Sequence, residues 1–234
     1  MMKKLIVLNH KMSLLYDDLY SYIERTNNID TDHDVIICPS NIYLEAFINN
    51  SEWSVGAQNM HYDTLELHTG EVSSLQLKSL GIEYTMVGHY DRVNEFKENA
   101  SIVNQKVIAA LDSNIFPILC FGEDIDEDYK DVLPKLLDSY LKDIDNIEFI
   151  IFAYEPIYAL GTGALPNVRK IVEVSEFVSR YLENKYNKKP ILLYGGSVDS
   201  SNIKDIIDIE LLDGVVVGNI SSDIKEVERI FNCI

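Results

Sequence analysis

The sequence predicts a closed (β/α)8 barrel, eight parallel strands with surrounding helices, formed by a single domain over residues 1–234. Three observations favour this α/β fold. Short apolar segments recur about every 30 residues, and helical patterns alternate with them. The unusual polar and glycine residues directly follow those segments, and a barrel gathers such positions on one face. An open doubly wound sheet is the alternative, but it would place only the strands at its switch point beside a ligand.

The predicted strands are mostly continuous apolar runs, which is typical of parallel strands that are covered on both faces. They span Leu5–Asn9, Asp34–Cys38, residues 54–58, Tyr84–Val87, Phe116–Phe121, residues 149–154, Ile191–Tyr194 and Gly214–Val217.

Amphipathic helical patterns lie between the predicted strands. Residues 73–80 end at Gly81, the residue type that commonly follows a helix, and residues 102–110 give a second pattern. After Pro166, apolar residues recur at spacings of three and four through position 182, as expected for a helix with proline in its first turn. The acidic segment 123–131 is predicted to be a solvated loop and the start of a helix.

Composition excludes several classes of function. The 38 acidic and 20 basic residues give a net charge of −18, which argues against nucleic acid or an anionic membrane as the main partner. Three widely spaced cysteines and five histidines without ligand spacing predict neither a disulfide scaffold nor a metal site. The apolar run after the N-terminal lysines is too short for a signal peptide or a membrane span, so a cytoplasmic location is expected.

Glu155 is the strongest candidate for acid–base chemistry. It follows the sixth predicted strand, where partial loss of solvent would make its carboxylate a stronger base. A structural strand-end glutamate paired with a basic residue is the alternative. The uncharged segment 157–164, which contains Gly161 and Gly163, follows directly and is predicted to be a hinged lid with backbone N–H groups to offer.

Two glycine-containing turns predict an anion site. Residues 195–197 and 218–219 each follow a strand and begin with glycine, which lets the backbone approach a ligand, and the adjacent glycines 195 and 196 precede a helix start that offers N–H groups. Either turn alone could be structural, but the two occur in successive units, where many barrels bind phosphate. His89 and Lys11 also follow strands, so an electrophilic and a cationic role are credible beside the alternatives of a structural histidine and a surface lysine.

These segments together resemble the triosephosphate isomerase family over essentially the whole chain. The matching motifs lie at residues 9–11, 56–59, 69–71, 88–92, 120–123, 153–163, 194–198 and 213–218. The resemblance implies a cofactor-free interconversion of dihydroxyacetone phosphate and D-glyceraldehyde 3-phosphate, a step of glycolysis and gluconeogenesis. It also implies a homodimer, in which residues 59–71, with Leu65 and Leu67, reach into the partner subunit.

The same resemblance implies a role for each matching site residue. Glu155 resembles the base that moves the proton, His89 the neutral electrophile, and Lys11 the cation that holds the substrate. Asn9 resembles a second donor beside Lys11, and Asp91 stands where the family usually has glutamate. Backbone N–H groups for the phosphate would come from Gly161, Ser197, Gly218 and Asn219.

Several positions differ from the family pattern without removing a catalytic group. His10, Tyr90, Val93, Tyr158, Ala164 and Asn219 stand where the family usually has Trp, Ser, Arg, Trp, Lys and Gly. An alternative reading is therefore a paralogous aldose–ketose isomerase that acts on a related sugar phosphate, such as a tetrulose phosphate. Two further alternatives, a catalytically silent barrel and a barrel with synthase chemistry, are less favoured. The four catalytic residue types are all present, and no second acid–base pair occurs.

Overall fold

The computed structural model describes residues 3–63, 68–160 and 167–234. Its strands pair in sequence order, each parallel to the next, and the last pairs with the first to close the barrel. The strands are β1 (Leu5–Asn9), β2 (Asp34–Cys38), β3 (Ser54–Ala57), β4 (Tyr84–Val87), β5 (Phe116–Phe121), β6 (Ile151–Tyr154), β7 (Ile191–Tyr194) and β8 (Gly214–Val217). The predicted (β/α)8 fold is confirmed, and the open sheet is excluded.

Helices follow the strands and cover the outside of the barrel. They are α1 (Tyr16–Asn27), α2 (Leu44–Asn50), α3 (Ser74–Ser79), α4 (Tyr90–Asn94), α5 (Ala100–Asp112), α6 (Tyr129–Tyr140), α7 (Val168–Tyr186), α8 (Ile203–Ile207) and α9 (Ile224–Cys233). Short 3₁₀ turns occur at Asn41–Tyr43, Ile157–Ala159 and Asn219–Ser222.

Two apolar clusters hold the barrel together. One fills its interior with strand side chains such as Val7, Ile118 and Leu193, and the other packs the outer strand faces against the helices. The continuous apolar runs of the sequence follow from this arrangement, since inward and outward side chains are both buried. The strand ends, which carry polar residues, are therefore held rigidly on one face.

Most element boundaries agree with the sequence prediction, and the differences have local causes. The sixth strand begins at Ile151 rather than at residue 149, because the Ile150 N–H donates to the Ile147 carbonyl in a turn and Phe149 is exposed. Helix α3 begins after Ser73 in a capping box, and Gly81 follows it with a φ of +92°, as predicted.

Two predicted segments lie partly outside the described residues. These are the lid tip at residues 161–166, which includes Gly161, Gly163 and Ala164, and positions 64–67 with Leu65 and Leu67. Within the described ranges, no helix combines the length and apolar character that crossing a membrane requires.

Candidate active site

One cavity of about 220 Å³ opens at the carboxyl ends of the strands and collects the predicted site residues. Asn9, Lys11, His89, Glu155, Ser197, Gly218 and Asn219 all line it. They come from the ends of β1, β4, β6, β7 and β8, which a closed barrel brings together. Asp91 joins the group through Lys11, while Gly161 lies outside the described residues.

The Glu155 carboxylate is enclosed at the end of β6. Its backbone N–H donates to the Phe121 carbonyl at 2.7 Å, which fixes its position against β5. The residue is 3% exposed, and Oε2 has no hydrogen-bond partner among the described residues. Burial raises the pKa of Glu155, although His89, the Cys120 thiol and Lys11 act in the opposite direction. A buried carboxylate of this kind is a strengthened base.

The His89 ring faces Glu155 in one defined tautomer. His89 caps helix α4, and its Nδ1 atom accepts the Asp91 backbone N–H at 3.1 Å. Because Nδ1 accepts, a neutral ring carries its proton on Nε2. Nε2 lies 3.9 Å from Glu155 Oε2 and lines the cavity, so it can donate to an oxygen of a bound ligand. The preceding Gly88, with a φ of +74°, provides the sharp turn after β4.

Lys11 is held at the edge of the cavity by contacts on both its backbone and its side chain. Its backbone has a φ of +50°, and its N–H donates to Asn9 Oδ1 at 3.1 Å. Its carbonyl accepts from Gln58 Nε2 at 2.6 Å, and its Nζ atom lies 2.8 Å from Asp91 Oδ2. The ion pair, whose side chains are about one-third exposed, adds little stability, but it fixes the position of the ammonium group beside Asp91.

The opposite side of the cavity is built from backbone. Ser197, with a φ of +25°, follows β7; its hydroxyl donates to the Ala159 carbonyl and its carbonyl accepts from Asn202 Nδ2 at 3.0 Å. After β8, Gly218 leads into the 3₁₀ turn that begins at Asn219. The first N–H groups of such a turn have no partner within it, so they can donate to an anion.

Comparison with known proteins identifies the family. A sequence model of the family "Triosephosphate isomerase" matches residues 4–234. The chain belongs to the triosephosphate isomerase family. It is 34% identical to the triosephosphate isomerase of Finegoldia magna, with 99% of each chain covered. It is 35% identical to that of Wolbachia pipientis, over 100% of this chain and 98% of the relative, and 34% identical to that of Ehrlichia chaffeensis, over 94% and 92%.

Two departures from the triosephosphate isomerase pattern lie on a second cavity that also reaches Glu155. Tyr90 and Val93, together with Ile157 at the base of the lid segment, line this cavity of about 210 Å³. These positions therefore line a space beside Glu155 that is distinct from the cavity lined by Lys11, Ser197 and Gly218.

The environment of Glu123, which lies beyond the end of β5, was predicted wrongly from the sequence. Instead of lying in a solvated loop it is 2% exposed, and its Oε1 atom accepts from the Tyr154 hydroxyl at 2.9 Å. Its carbonyl accepts the Ile157 N–H at 2.9 Å, and burial raises the pKa of its carboxyl. Its position could have indicated burial: Glu123 is two residues after the end of β5, and Glu155 directly follows β6. It anchors the beginning of the lid segment to the barrel.

Proposed function

We propose that this protein interconverts dihydroxyacetone phosphate and D-glyceraldehyde 3-phosphate without a cofactor, by proton transfer through an enediolate. The observation that carries the proposal is the meeting of three groups in one cavity: the desolvated Glu155 carboxylate, the His89 Nε2–H donor and the Lys11 ammonium. Curated relatives of nearly full-length coverage bear the name triosephosphate isomerase, which supports the same reaction.

In this mechanism Glu155 removes a proton from the carbon beside the substrate carbonyl. The electron pair of that C–H bond forms the carbon–carbon double bond of the enediolate, and negative charge develops on the carbonyl oxygen. His89 Nε2–H and Lys11 stabilise that charge, with Asn9 as a further donor. The proton of the neighbouring hydroxyl group then moves to the former carbonyl oxygen, and Glu155 returns the carbon-bound proton to the adjacent carbon, which restores a carbonyl at the other position. Asp91 supports Lys11 through their ion pair. No atom is gained or lost, so no oxidant or reductant is required.

The phosphate would bind to backbone N–H groups of Ser197, Gly218, Asn219 and Gly161. Neutral donors can hold a dianion without placing a second cation near Glu155, where it would weaken the base. This local arrangement also explains how a chain with a net charge of −18 can bind an anionic substrate.

The proposal includes a homodimer in the cytoplasm. A cavity of about 530 Å³ beside Lys11 is lined by Met12, Gly70 and Phe96. Met12 is 91% exposed and Phe96 is 61% exposed, which is unusual for large apolar residues at the rim of a site. Sedimentation velocity of the purified protein tests the dimer directly.

A coupled assay that compares glyceraldehyde 3-phosphate with a tetrulose phosphate tests the reaction and its substrate. We expect turnover of the triose phosphate to exceed that of the tetrulose phosphate, and the reverse order would favour the paralogous isomerase.

Glu155→Gln keeps the shape of the side chain and removes the base, so kcat should fall about 10²–10⁴-fold with little change in phosphate affinity. Near-normal turnover by this variant would contradict the assignment of Glu155.

A further inference from the structure

A buried hydrogen-bonded chain connects the segment that carries Lys11 to the turn after β8. His10 Nε2 lies 3.0 Å from the Tyr22 hydroxyl oxygen, and that hydroxyl donates to the Ser221 carbonyl at 2.6 Å. His10, Tyr22 and Ser221 are 1%, 2% and 0% exposed. The end of β1, helix α1 and the last 3₁₀ turn therefore meet through side-chain hydrogen bonds that water does not reach.

The direction of both hydrogen bonds follows from the groups involved. A carbonyl can only accept, so the phenolic proton of Tyr22 goes to Ser221 and the phenolic oxygen accepts from His10 Nε2–H. Burial lowers the pKa of His10 to about 3, which keeps the ring neutral near neutral pH. The imidazole is thus a fixed donor, and the chain of hydrogen bonds keeps one direction.

Both ends of this chain lie next to site residues. His10 directly precedes Lys11, whose positive φ is a conformation that a residue with a side chain holds only when its surroundings fix it. At the other end, the Ser221 N–H donates to the Gly218 carbonyl at 2.8 Å and closes the turn that begins at Asn219. The hydrogen-bonded chain therefore links the Lys11 segment to the 219–222 turn, which follow the neighbouring strands β1 and β8.

We propose that His10 and Tyr22 are positioning residues that set the separation between the Lys11 ammonium group and the N–H groups of the 219–222 turn. The inference rests on the proposed function, because it takes this turn as part of the phosphate site. Neither residue lines the cavity that contains Lys11 and Glu155. Holding the two parts of an anion site in place before binding lowers the cost of ordering them, so loss of the chain should weaken ligand binding more than chemistry.

Tyr22→Phe removes only the hydroxyl and keeps the ring against His10 and Phe47. We expect KM for glyceraldehyde 3-phosphate and Ki for 2-phosphoglycolate to rise about tenfold, while kcat changes less than about threefold. Tyr181→Phe is the matched control, since it removes a hydroxyl that donates to Asp138 between the outer helices α6 and α7. This control should leave both KM and Ki at their original values.

A second pair of variants does not depend on the folding of Tyr22→Phe. His10→Gln keeps an N–H donor near the position of Nε2, whereas His10→Met has a similar length and no donor. The glutamine variant should retain KM and Ki, and the methionine variant should raise both, as Tyr22→Phe does.

If Tyr22→Phe or His10→Met lowers the melting temperature but leaves KM and Ki unchanged, the hydrogen-bonded chain has only a structural role and the inference is overturned. Calorimetric titration with 2-phosphoglycolate keeps this test separate from the reaction. A wild-type protein that binds the inhibitor without isomerase turnover contradicts the proposed function, while the Tyr22 and His10 comparison still decides the inference.

Discussion

Gly195 and Glu155 are in such close contact that no side chain fits between them. A Cβ atom at position 195 would lie 2.7 Å from Glu155 Cγ and 2.9 Å from its Oε1 atom. The backbone cannot retreat easily, because the Gly195 N–H donates to the Tyr154 carbonyl at 2.8 Å. The end of β7 therefore forms one wall against which the proposed base is positioned.

Gly195→Ala should displace the Glu155 carboxylate and lower kcat. A displacement of about 1 Å at a reacting group costs on the order of 10²-fold, so a loss of about 10–100-fold is expected. The fold should be less affected, because the crowded atoms belong to one side chain. Steady-state kinetics and thermal unfolding of the same preparation measure both effects.

Gly81→Ala is the control variant, for which we expect a loss of stability without a loss of kcat. Gly81 has a φ of +92°, and the space that a Cβ atom would occupy there is open, so alanine is strained but touches nothing. It should cost about 1–2 kcal/mol of stability and leave kcat unchanged. Normal turnover by Gly195→Ala would show that the wall does not position Glu155.

The raised pKa of Glu155 predicts how stability depends on pH. Burial raises the pKa in the folded protein above the ordinary value of 4.5, so the unfolded chain loses its proton first as the pH rises. Stability from this group is then fully present below pH 4.5 and is lost as the pH rises through the folded pKa. Glu155→Gln cannot ionise, so its free energy of unfolding relative to the wild type should increase with pH across that window.

Urea unfolding at a series of pH values, from about 4 to about 8, measures this difference. Glu173→Gln is a useful contrast, because the hydrogen bond from the Tyr129 hydroxyl lowers the pKa of Glu173. The stability that Glu173 contributes is therefore present above its ordinary pKa of 4.5 and is lost as the pH falls through the lowered pKa of the folded protein. A Glu155→Gln difference that stays constant with pH would mean that Glu155 ionises as freely in the folded as in the unfolded protein.

The fold and the catalytic end of the barrel could be predicted because their signals are local. A continuous apolar run followed by a polar residue marks both a strand and its site position, as for Val87 before Gly88 and His89. The burial of Glu123 could not be predicted in the same way. It depends on a hydroxyl that β6 supplies from Tyr154, 31 residues further along the chain.

The chain of hydrogen bonds through Tyr22 could not be predicted from the sequence either. Its two partners are 12 and 199 residues away, and no periodicity relates them. The substitution of His10 for the family's tryptophan was visible, but its consequence was not. Only the closed barrel brings α1 against the turn after β8.

Replacement of Lys4, at the end of the barrel opposite to the site, should lower the free energy of unfolding. It is 6% exposed, and its ammonium group donates to the carbonyls of Ile209 and Leu212 at 3.2 and 2.5 Å. Lys4→Met would leave two buried carbonyls without this donor, which should cost about 1–3 kcal/mol of unfolding free energy. Lys3→Met, which breaks an exposed pair with Asp34, should cost less than about 1 kcal/mol. Chemical denaturation compares the two variants, and equal effects would contradict the role of Lys4.

Gly218 and Asn219, in the turn after β8, allow the proposed phosphate site to be tested. Asn219 is exposed and begins a 3₁₀ turn, so we expect its backbone N–H, rather than its side chain, to serve the ligand. Asn219→Gly should therefore change kcat/KM by less than about tenfold, which is about 1.4 kcal/mol. The small effect would show that a backbone donor, rather than the amide side chain, serves the ligand.

Gly218→Val should be far more damaging than Asn219→Gly. A Cβ atom at Gly218 meets nothing within 4 Å, and the residue lines the same cavity as Glu155, so the valine side chain would occupy space that the ligand is expected to use. We expect a loss in kcat/KM at least about tenfold larger than that of Asn219→Gly, with a matching rise in Ki for 2-phosphoglycolate. Both variants are measured with the same substrate and inhibitor. Loss of activity in Asn219→Gly together with normal activity in Gly218→Val would mean that the phosphate binds elsewhere.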